Sequence, residues 1–458
     1  MGSNTRGQSV EVSIESLSSR GNGVGNFLRH DGQSCPIEIP FTVVGDKVQA
    51  EVGRRRAGRY SGRLQELLSA SSDRISPRCI HFATCGGCRW QQLPYAKQLE
   101  IKQERVEALF GAKTLPIIAC PKIWGYRNKM ELSFSQDREG KQFLGLVIDA
   151  SRGKVFDMSE CHLCNPWMAE ACKAVKSWWQ EENLSAYHMF THSGHLRTLT
   201  LREGIKTGDR MAILTVSGNP DYALNKEQIR RFVQTLNHFI PENGRLSLFL
   251  RIMQVKKGMT TQVYEMHLAG PDHIFEKIDF QGKNYTFKIS PAAFFQPNTL
   301  QAESLFEKAF ELAGGGECVF DLYCGTGVLG ILASAQAKKV FGIELVPEAV
   351  LDARENAKIN QVEDIVFLGG KVEDKLASLQ EKPDLVMVDP PRAGLDPKAI
   401  EQLVLLKAPK ILYISCNPVS QKANVEALEA NGYQTRSIQP VDQFPHTVHI
   451  ENIVVLQR

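Results

Sequence analysis

The chain has 458 residues, of which 43% are hydrophobic and 23% are charged. That length exceeds what one hydrophobic core supports, so we expect two or three domains, and the composition is that of an ordinary globular protein. It excludes a membrane span, since no apolar run reaches eighteen residues, and the N-terminal MGSNTRGQSVEV lacks the apolar core of a secretory signal. We therefore expect a cytoplasmic protein.

Charge is unevenly distributed along the chain. Residues 1–130 hold 19 Lys and Arg against 11 Asp and Glu, whereas the remainder holds 35 against 40. Within the basic part, residues 8–68 show short alternating strands separated by glycine turns, a pattern typical of a small β-barrel. The stretch RRRAGRYSGR at 54–63 places five arginines around one tyrosine. These features predict an N-terminal barrel that meets a polyanion such as a nucleic acid, and on charge alone a solvent-exposed, solubilising basic surface is the open alternative.

The rest of the chain divides into two further parts. A cysteine-rich segment and a series of strands occupy 71–290, which predicts a central domain of mixed β structure. In 291–458, short apolar strands such as CVFDLY and KVFGIE alternate with helical stretches. This alternation predicts a doubly wound, Rossmann-like parallel sheet. We therefore predict an α/β fold class and three domains, at 1–70, 71–290 and 291–458.

A glycine-rich turn in the last part is suited to a nucleotide-like ligand. The segment DLYCGTGVLG at 321–330 follows a buried strand and opens a helix. Its glycines let the backbone approach a ligand at the carboxyl end of the strand, and Glu344, which ends the next strand, can accept hydrogen bonds from ribose hydroxyls. On this spacing alone an NAD-dependent dehydrogenase remains open, because Gly330 completes a dinucleotide-binding pattern.

Two later strand ends carry chemistry that a dehydrogenase does not need. Asp389 opens the turn Asp-Pro-Pro-Arg after one strand, and Cys416 follows another. A thiolate that adds to C6 of uracil makes C5 reactive toward a methyl sulfonium, and a base must then remove the C5 proton. Glu451 lies among apolar residues in a late strand, where a carboxylate is costly to bury without purpose. The alternatives are a buried packing cysteine and an ion-paired glutamate.

Four of the eleven cysteines have informative spacing. Cys79, Cys85 and Cys88 form the pattern C-x5-C-G-G-C, and Cys161 follows after 72 intervening residues. Three clustered thiolates with a distant fourth suit either a cubane iron–sulfur cluster or a zinc ion, and the spacing does not decide between them. Cys164 is the competing fourth ligand. The spacing differs from the C-x3-C-x2-C of radical enzymes, so we expect a structural or RNA-positioning metal site.

The chain resembles the RNA 5-methyluridine methyltransferase family over nearly its whole length. Five motifs occur in the order that the family shows, namely FFQPN (294–298), DLYCGTG (321–327), DPPR (389–392), SCNP (415–418) and HTVHIE (446–451). The resemblance implies a class I methyltransferase domain at the C-terminus and a small TRAM-type barrel at the N-terminus. It also implies the cysteine segment of the cluster-bearing members between them.

The resemblance assigns a role to each motif residue. It implies S-adenosylmethionine as methyl donor and uridine C5 in structured RNA as acceptor, with Cys416 as nucleophile and Glu451 as general base. The donor-binding set that it implies is Gln296, Tyr323, Glu344 and Asp389. It favours a [4Fe–4S] cluster, whose ligands would be Cys79, Cys85, Cys88 and Cys161. Ribosomal RNA is the favoured substrate, transfer RNA is possible, and we expect a monomer.

Some positions depart from the family pattern, and other functions remain to be weighed. Val328 stands where the family often has Asn, so any polar contact of that side chain is lost, and PFTVVGD (40–46) is a loose match to the barrel motif. An adenine amino-methyltransferase would have an aromatic residue where Arg392 follows the two prolines. A non-catalytic RNA-binding cluster protein would leave Cys416 and Glu451 without a purpose.

Overall fold

The computed structural model describes residues 5–151, 153–255 and 258–458. The chain forms two compact units. One comprises Met1–Lys102, Val147–Gly153 and Phe444–Val448, and the other comprises Gln103–Leu146, Lys154–Gln443 and His449–Arg458. None of the helices in the described ranges is both long and apolar enough to cross a membrane.

A closed five-stranded barrel forms the N-terminal part. Its strands are β1 (Ser9–Leu17), β2 (Gly23–Leu28), β3 (Ser34–Ile39), β4 (Lys47–Arg56) and β5 (Arg59–Ser69). They follow the order β1-β2-β3-β5-β4, and β1 also pairs with β4. The alternation of the sequence explains the barrel, because Val10, Val12 and Ile14 of β1 point into the core while their neighbours face water.

The arginine-rich stretch forms the hairpin between β4 and β5. The turn residues Ala57 and Gly58 both have positive φ, 47° and 81°, as a tight two-residue hairpin of this type requires. Arg56 and Arg59 are directly opposite each other across the hairpin and are exposed. The guanidinium of Arg55 lies 5.6 Å from the centre of the Tyr60 ring. The hairpin therefore presents a concentrated positive charge to solvent.

The central part contains a seven-stranded mixed sheet and a separate hairpin. Helix α1 (Tyr95–Phe110) precedes it. Its elements are β6 (Lys129–Gln136), β7 (Gln142–Val147), β8 (Val155–Asp157), α2 (Pro166–Glu181), β9 (Leu196–Glu203), β10 (Arg210–Ser217), α3 (Lys226–Asn237), β11 (Leu246–Gln254), β12 (Gln262–Ala269), β13 (Ile274–Phe280) and β14 (Lys283–Ile289). The sheet order is β12-β11-β10-β9-β6-β7-β8, and β13 pairs with β14. Helices α2 and α3 pack together, with Trp178 in edge-to-face contact with Phe232.

The C-terminal part is a doubly wound sheet. Its elements are α4 (Thr299–Ala313), β15 (Cys318–Leu322), α5 (Val328–Ala333), β16 (Lys339–Glu344), α6 (Pro347–Ile359), β17 (Ile365–Gly369), α7 (Val372–Leu376), β18 (Leu385–Val388), α8 (Pro397–Leu406), β19 (Lys410–Ser415), α9 (Pro418–Glu429), β20 (Gln434–Val441) and β21 (Glu451–Gln457). Both faces of the sheet are buried, and for that reason its strands are continuous apolar runs.

The strand order creates a crevice at the carboxyl edge of this sheet. The order is β17-β16-β15-β18-β19-β21-β20, with only β21 antiparallel to its neighbours. The direction of winding reverses between β15 and β18, where α/β sheets bind their ligands. The predicted α/β fold class is confirmed. The three domain boundaries at 1–70, 71–290 and 291–458 remain a prediction.

Candidate active site

The glycine-rich turn lies at the reversal point of the sheet, after β15. Tyr323, Gly325 and Gly327 all have positive φ, at 63°, 53° and 81°. A Cβ atom at Gly327 would lie 2.7 Å from the ring of Phe367, so a side chain is excluded there. A Cβ atom at Gly325 would meet nothing within 4 Å, so this peptide faces open space. The turn therefore exposes backbone to a ligand at the edge of the sheet.

Two carboxylates support this turn. Glu344, at the end of β16, accepts hydrogen bonds from the backbone N–H of Gly325 at 3.0 Å and of Val346 at 2.8 Å. Each of its oxygens keeps a further lone pair for a ligand hydroxyl. Asp321 is fully buried and accepts from Gly330 N–H at 2.7 Å. Burial, with Asp389 and Glu344 nearby, raises the pKa of Asp321 to about 8. The sequence had not singled out Asp321 as a site residue.

Tyr323 and Gln296 border the crevice from different elements. Tyr323 is partly buried, and burial together with Glu373 and Asp396 raises its pKa to about 12, so the phenol stays neutral. Gln296 precedes α4, and its side-chain oxygen lies 3.5 Å from Nε2 of Gln443. Gln443 is two residues beyond Val441, the partner of Glu451 in the sheet. Through this contact Gln296 lies near the end of β20, at the same edge of the sheet as Glu451.

The segment that carries Gln296 is held by the central sheet. Asn128 donates its side-chain N–H to the carbonyl oxygen of Gln296 at 2.9 Å. Arg202 donates to the carbonyl oxygen of Ala293 at 2.8 Å, and Arg251 to that of Pro291 at 3.0 Å. Burial lowers the pKa of Arg202 to about 10, so it remains charged at neutral pH. The central domain therefore fixes the backbone around FFQPN.

Strand register brings Cys416 and Glu451 together. Ser415, the last residue of β19, pairs with Asn452 of the antiparallel strand β21. The next residue on one strand, Cys416, is thus opposite the preceding residue on the other, Glu451. Cys416 is half-buried and Glu451 is buried. Burial raises the pKa of the Cys416 thiol, and the negative charges of Glu451 and Asp389 raise it further.

Arg392 is the positive group of this cluster. Its positive charge acts on the Cys416 thiol and lowers the pKa of that group. Its Nη2 also lies 2.9 Å from Nδ1 of His449, which must accept because arginine only donates. Asn417 and Ser420 donate to the backbone carbonyl of Arg392 at 2.8 and 3.1 Å. The turn after the double proline is therefore tied to the turn that carries the cysteine.

Both carboxyl groups of the cluster are shifted toward the neutral form. Burial raises the pKa of Asp389 to about 7. Glu451 has a pKa well above its ordinary value, because of burial first and the charge of Asp389 second, while Arg392 acts in the opposite direction. Groups with such shifts around a thiol are typical of a catalytic site. Sequence reasoning missed His449, although the motif HTVHIE contained it.

The predicted metal ligands fall in both compact units. Cys79, Cys85 and Cys88 belong to one and Cys161 to the other. Within the described ranges, no three His, Cys, Asp or Glu side chains are arranged to hold a metal ion. Cys161 has a pKa lowered to about 6, chiefly by a hydrogen bond with the thiol of Cys164. The four-cysteine site remains a prediction.

Comparison with known proteins identifies relatives over the whole chain. A family model described as tRNA (Uracil-5-)-methyltransferase matches residues 259–458. An uncharacterized RNA methyltransferase of Protochlamydia amoebophila is 50% identical, covering 92% of this chain and 99% of its own. Another, from Caldanaerobacter subterraneus, is 34% identical and covers 99% of both chains. The solved tRNA (uracil-54, C5)-methyltransferase of Pyrococcus abyssi, in complex with S-adenosyl-L-homocysteine, is 27% identical, with a TM-score of 0.75 over 97% of this chain and 100% of that one.

The fold and the glycine turn at its reversal point define a class I S-adenosylmethionine-dependent methyltransferase. Identity of 50% over almost the full length of an RNA methyltransferase, with the matching family model, narrows this class. The chain belongs to the RNA (uracil-5-)-methyltransferase family. Membership of the family, which the five motifs implied, is thereby confirmed, and the dehydrogenase interpretation is set aside. The TRAM-type barrel and the iron–sulfur cluster remain predictions.

Proposed function

We propose that this protein methylates C5 of a uridine in structured RNA through a covalent adduct between Cys416 and C6 of the base. The observation that carries this proposal is the register of β19 and β21, which sets the thiol opposite the buried carboxyl of Glu451. Arg392 supplies the positive charge that lowers the pKa of the Cys416 thiol. An amino-group methyltransferase would need neither the nucleophile nor the base.

The crevice residues fit S-adenosylmethionine as methyl donor. Glu344 offers carboxylate oxygens beside the turn, and the open space at Gly325 leaves room for a ligand against the backbone. Tyr323, Gln296 and Asp389 are the other residues we assign to it. The donor would supply an electrophilic methyl group. The solved Pyrococcus abyssi structure contains S-adenosyl-L-homocysteine, which is the donor without that methyl group. Its recognition rests on the C-terminal sheet.

In this proposal each polar group of the cluster has one task. Arg392 favours the thiolate of Cys416, whose proton leaves to solvent. The thiolate forms a bond to C6 of uracil, and the electron pair of the C5–C6 double bond moves to C5 and O4. C5 then bonds to the donor's methyl group, whose bond to the sulfonium sulfur breaks, and S-adenosyl-L-homocysteine is the leaving group. Glu451 takes the C5 proton, the C5–C6 double bond re-forms and the bond between C6 and the Cys416 sulfur breaks. The thiolate leaves, and the enzyme is restored once Glu451 loses that proton.

The substrate within this scheme is ribosomal RNA, with transfer RNA as the second candidate. The relative of known structure acts on transfer RNA, as its name states. The barrel and the cysteine segment favour ribosomal RNA by resemblance. Quantifying 5-methyluridine separately in both RNAs of a strain that lacks the gene distinguishes them. We expect 5-methyluridine to be lost from ribosomal RNA alone. We also expect the enzyme to be a monomer and to act in the cytoplasm.

We propose that the arginine hairpin of the barrel grips the phosphate backbone. Like charges directly opposite each other across two strands repel, so the facing pair Arg56 and Arg59 costs stability unless an anion neutralises it. Replacing both by Gln should weaken RNA binding and lower the slope of log affinity against log salt by roughly 1.4, if each contacts one phosphate of a single strand. Affinity for the methyl donor should not change.

Titrating RNA at several salt concentrations measures this effect. The matched control is Lys47→Gln on the same barrel, where the lysine is paired with Glu11 at 2.5 Å. The control should retain the slope of the unchanged protein. An unaltered slope in the double arginine variant would show that the hairpin is not the RNA grip.

We propose further that Cys79, Cys85, Cys88 and Cys161 take up a [4Fe–4S] cluster, on the support of their spacing and the family resemblance. Protein purified without oxygen should then carry about four irons and show broad visible absorption from thiolate–iron charge transfer. Cys161→Ser should lose the iron, and Cys164→Ser should keep it. Metal analysis that finds zinc, or no metal, would contradict the cluster, and the reverse pattern of the two variants would exchange the fourth ligand.

A further inference from the structure

A short loop of the central domain turns its apolar side chains into solvent. It spans residues 187–194, between α2 and β9. Met189 is 68% exposed and Phe190 82%, the highest value among the large hydrophobic side chains of the described ranges. Burial of apolar side chains stabilises a fold, yet most of the surface of these two remains in water. The two side chains are therefore available to a binding partner.

Polar side chains of the same loop bond to one another. The hydroxyl of Tyr187 lies 2.7 Å from Nδ1 of His192. His188 bonds through Nδ1 to the hydroxyl of Thr191 at 2.9 Å, and its backbone N–H donates to the carbonyl of Ser193 at 2.7 Å. These hydrogen bonds fix the conformation of the loop that carries Met189 and Phe190.

The base of the loop is equally constrained. Gly194 has a φ of +97°, and a Cβ atom there would lie 2.2 Å from the carbonyl oxygen of Ala186. Beside it, the guanidinium carbon of Arg197 lies 3.9 Å from the centre of the Tyr187 ring, in a close cation–π stack. The ring of Phe190 is 5.8 Å from that of His188. The imidazole of His188 therefore lies beside the exposed ring of Phe190, and the Arg197–Tyr187 stack lies at the base of the same loop.

We propose that Met189 and Phe190 receive an unpaired base of the RNA substrate, outside the uridine that is methylated. RNA is the substrate class of the family, and proteins hold unpaired bases by stacking them on aromatic rings and arginine planes. A protein partner would require about 800 Å² on each side, whereas one aromatic side chain buries about 150–250 Å². The exposed tip offers a contact the size of one or two side chains, and the guanidinium of Arg197 at the base of the loop supplies positive charge that suits RNA.

The test compares two ligands that differ only in their bases. The probes are oligouridylate of about twelve nucleotides, within the usual site size for single strands, and an abasic ribose-phosphate of equal length. Phe190→Ala should weaken binding of oligouridylate roughly 5- to 100-fold, the range for loss of one stacked base, and leave the abasic ligand unaffected. The salt slope should stay unchanged. Ile240→Ala, at a 55% exposed position of the same domain, is the matched control and should bind both probes normally.

A second variant gives a direct signal. Phe190→Trp should retain affinity, and oligouridylate should quench the fluorescence that it adds to that of the unchanged protein. If Phe190→Ala binds oligouridylate as tightly as the unchanged protein does, the proposal is overturned. It is also overturned if the substitution weakens binding of oligouridylate and of the abasic ligand by the same factor. Loss of concentration-dependent self-association in Phe190→Ala, with RNA binding intact, would also contradict it and would assign the loop to a protein contact.

Discussion

Cys416→Ala should abolish RNA methylation, with a fall of at least about 10⁴-fold in turnover, as removal of a covalent nucleophile produces in other enzymes. The physical reason is that C5 of uracil becomes nucleophilic only after a thiolate has added at C6. Binding of S-adenosylmethionine should stay nearly unchanged, because Cys416 follows β19, whereas Glu344 ends β16 and the glycine turn follows β15. Methyl transfer to RNA and equilibrium donor binding are the two measurements.

The matched control is Cys318→Ala. Cys318 is the first residue of β15, at the opposite end of the strand from the glycine turn, and like Cys416 it is only partly buried. We expect it to retain turnover. Turnover by Cys416→Ala at the rate of the control would rule out the covalent mechanism.

Glu451→Gln should trap the enzyme on its substrate. The adduct can still form and accept the methyl group, but without a carboxylate the C5 proton stays and the carbon–sulfur bond does not break. Product release should fall about 10²- to 10⁴-fold, the usual contribution of a general base. Denaturing gels should show a protein–RNA complex that needs both Cys416 and the methyl donor. Glu429→Gln, at an exposed position on α9, should turn over without such a complex.

The pH dependence of the unchanged enzyme follows from the same residue. Burial and Asp389 raise the pKa of Glu451, so the proton must be lost before the residue can act as a base. The rate of adduct breakdown should therefore rise with pH through that raised pKa, and its acid limb should lie above the ordinary glutamate range near 4.5. The measurement is the rate of product release in a single turnover at a series of pH values.

If Glu451→Gln forms no adduct with RNA, or turns over freely, another residue must be the base.

The sequence predicted individual strand ends well but not their pairing. Apolar runs followed by Gly325, Asp389 and Cys416 suffice to place these residues at one edge of a parallel sheet. The meeting of Cys416 with Glu451 depends on β21 inserting antiparallel between β19 and β20. That register is a long-range property, which the local pattern of apolar residues does not contain.

Contacts between loops also could not be predicted from the sequence. The bond from Arg392 to His449 and the contact of Gln443 with Gln296 join segments that lie far apart in the chain. No periodicity marks such residues. The barrel shows the same division, since alternation predicted its strands, whereas the parallel pairing of β3 with β5 that closes it follows only from the three-dimensional arrangement.

Release of hydrogen from C5 tests the central claim most directly. Substrate RNA that carries tritium at C5 of its uridines is incubated with the purified enzyme and S-adenosylmethionine labelled with carbon-14 in the methyl group. Methylation at C5 replaces the tritium, so one tritium should enter water for each methyl group transferred, and the product nucleoside should be 5-methyluridine. Methyl incorporation without tritium release would place the methyl group on another atom and would contradict the assignment of Cys416 and Glu451.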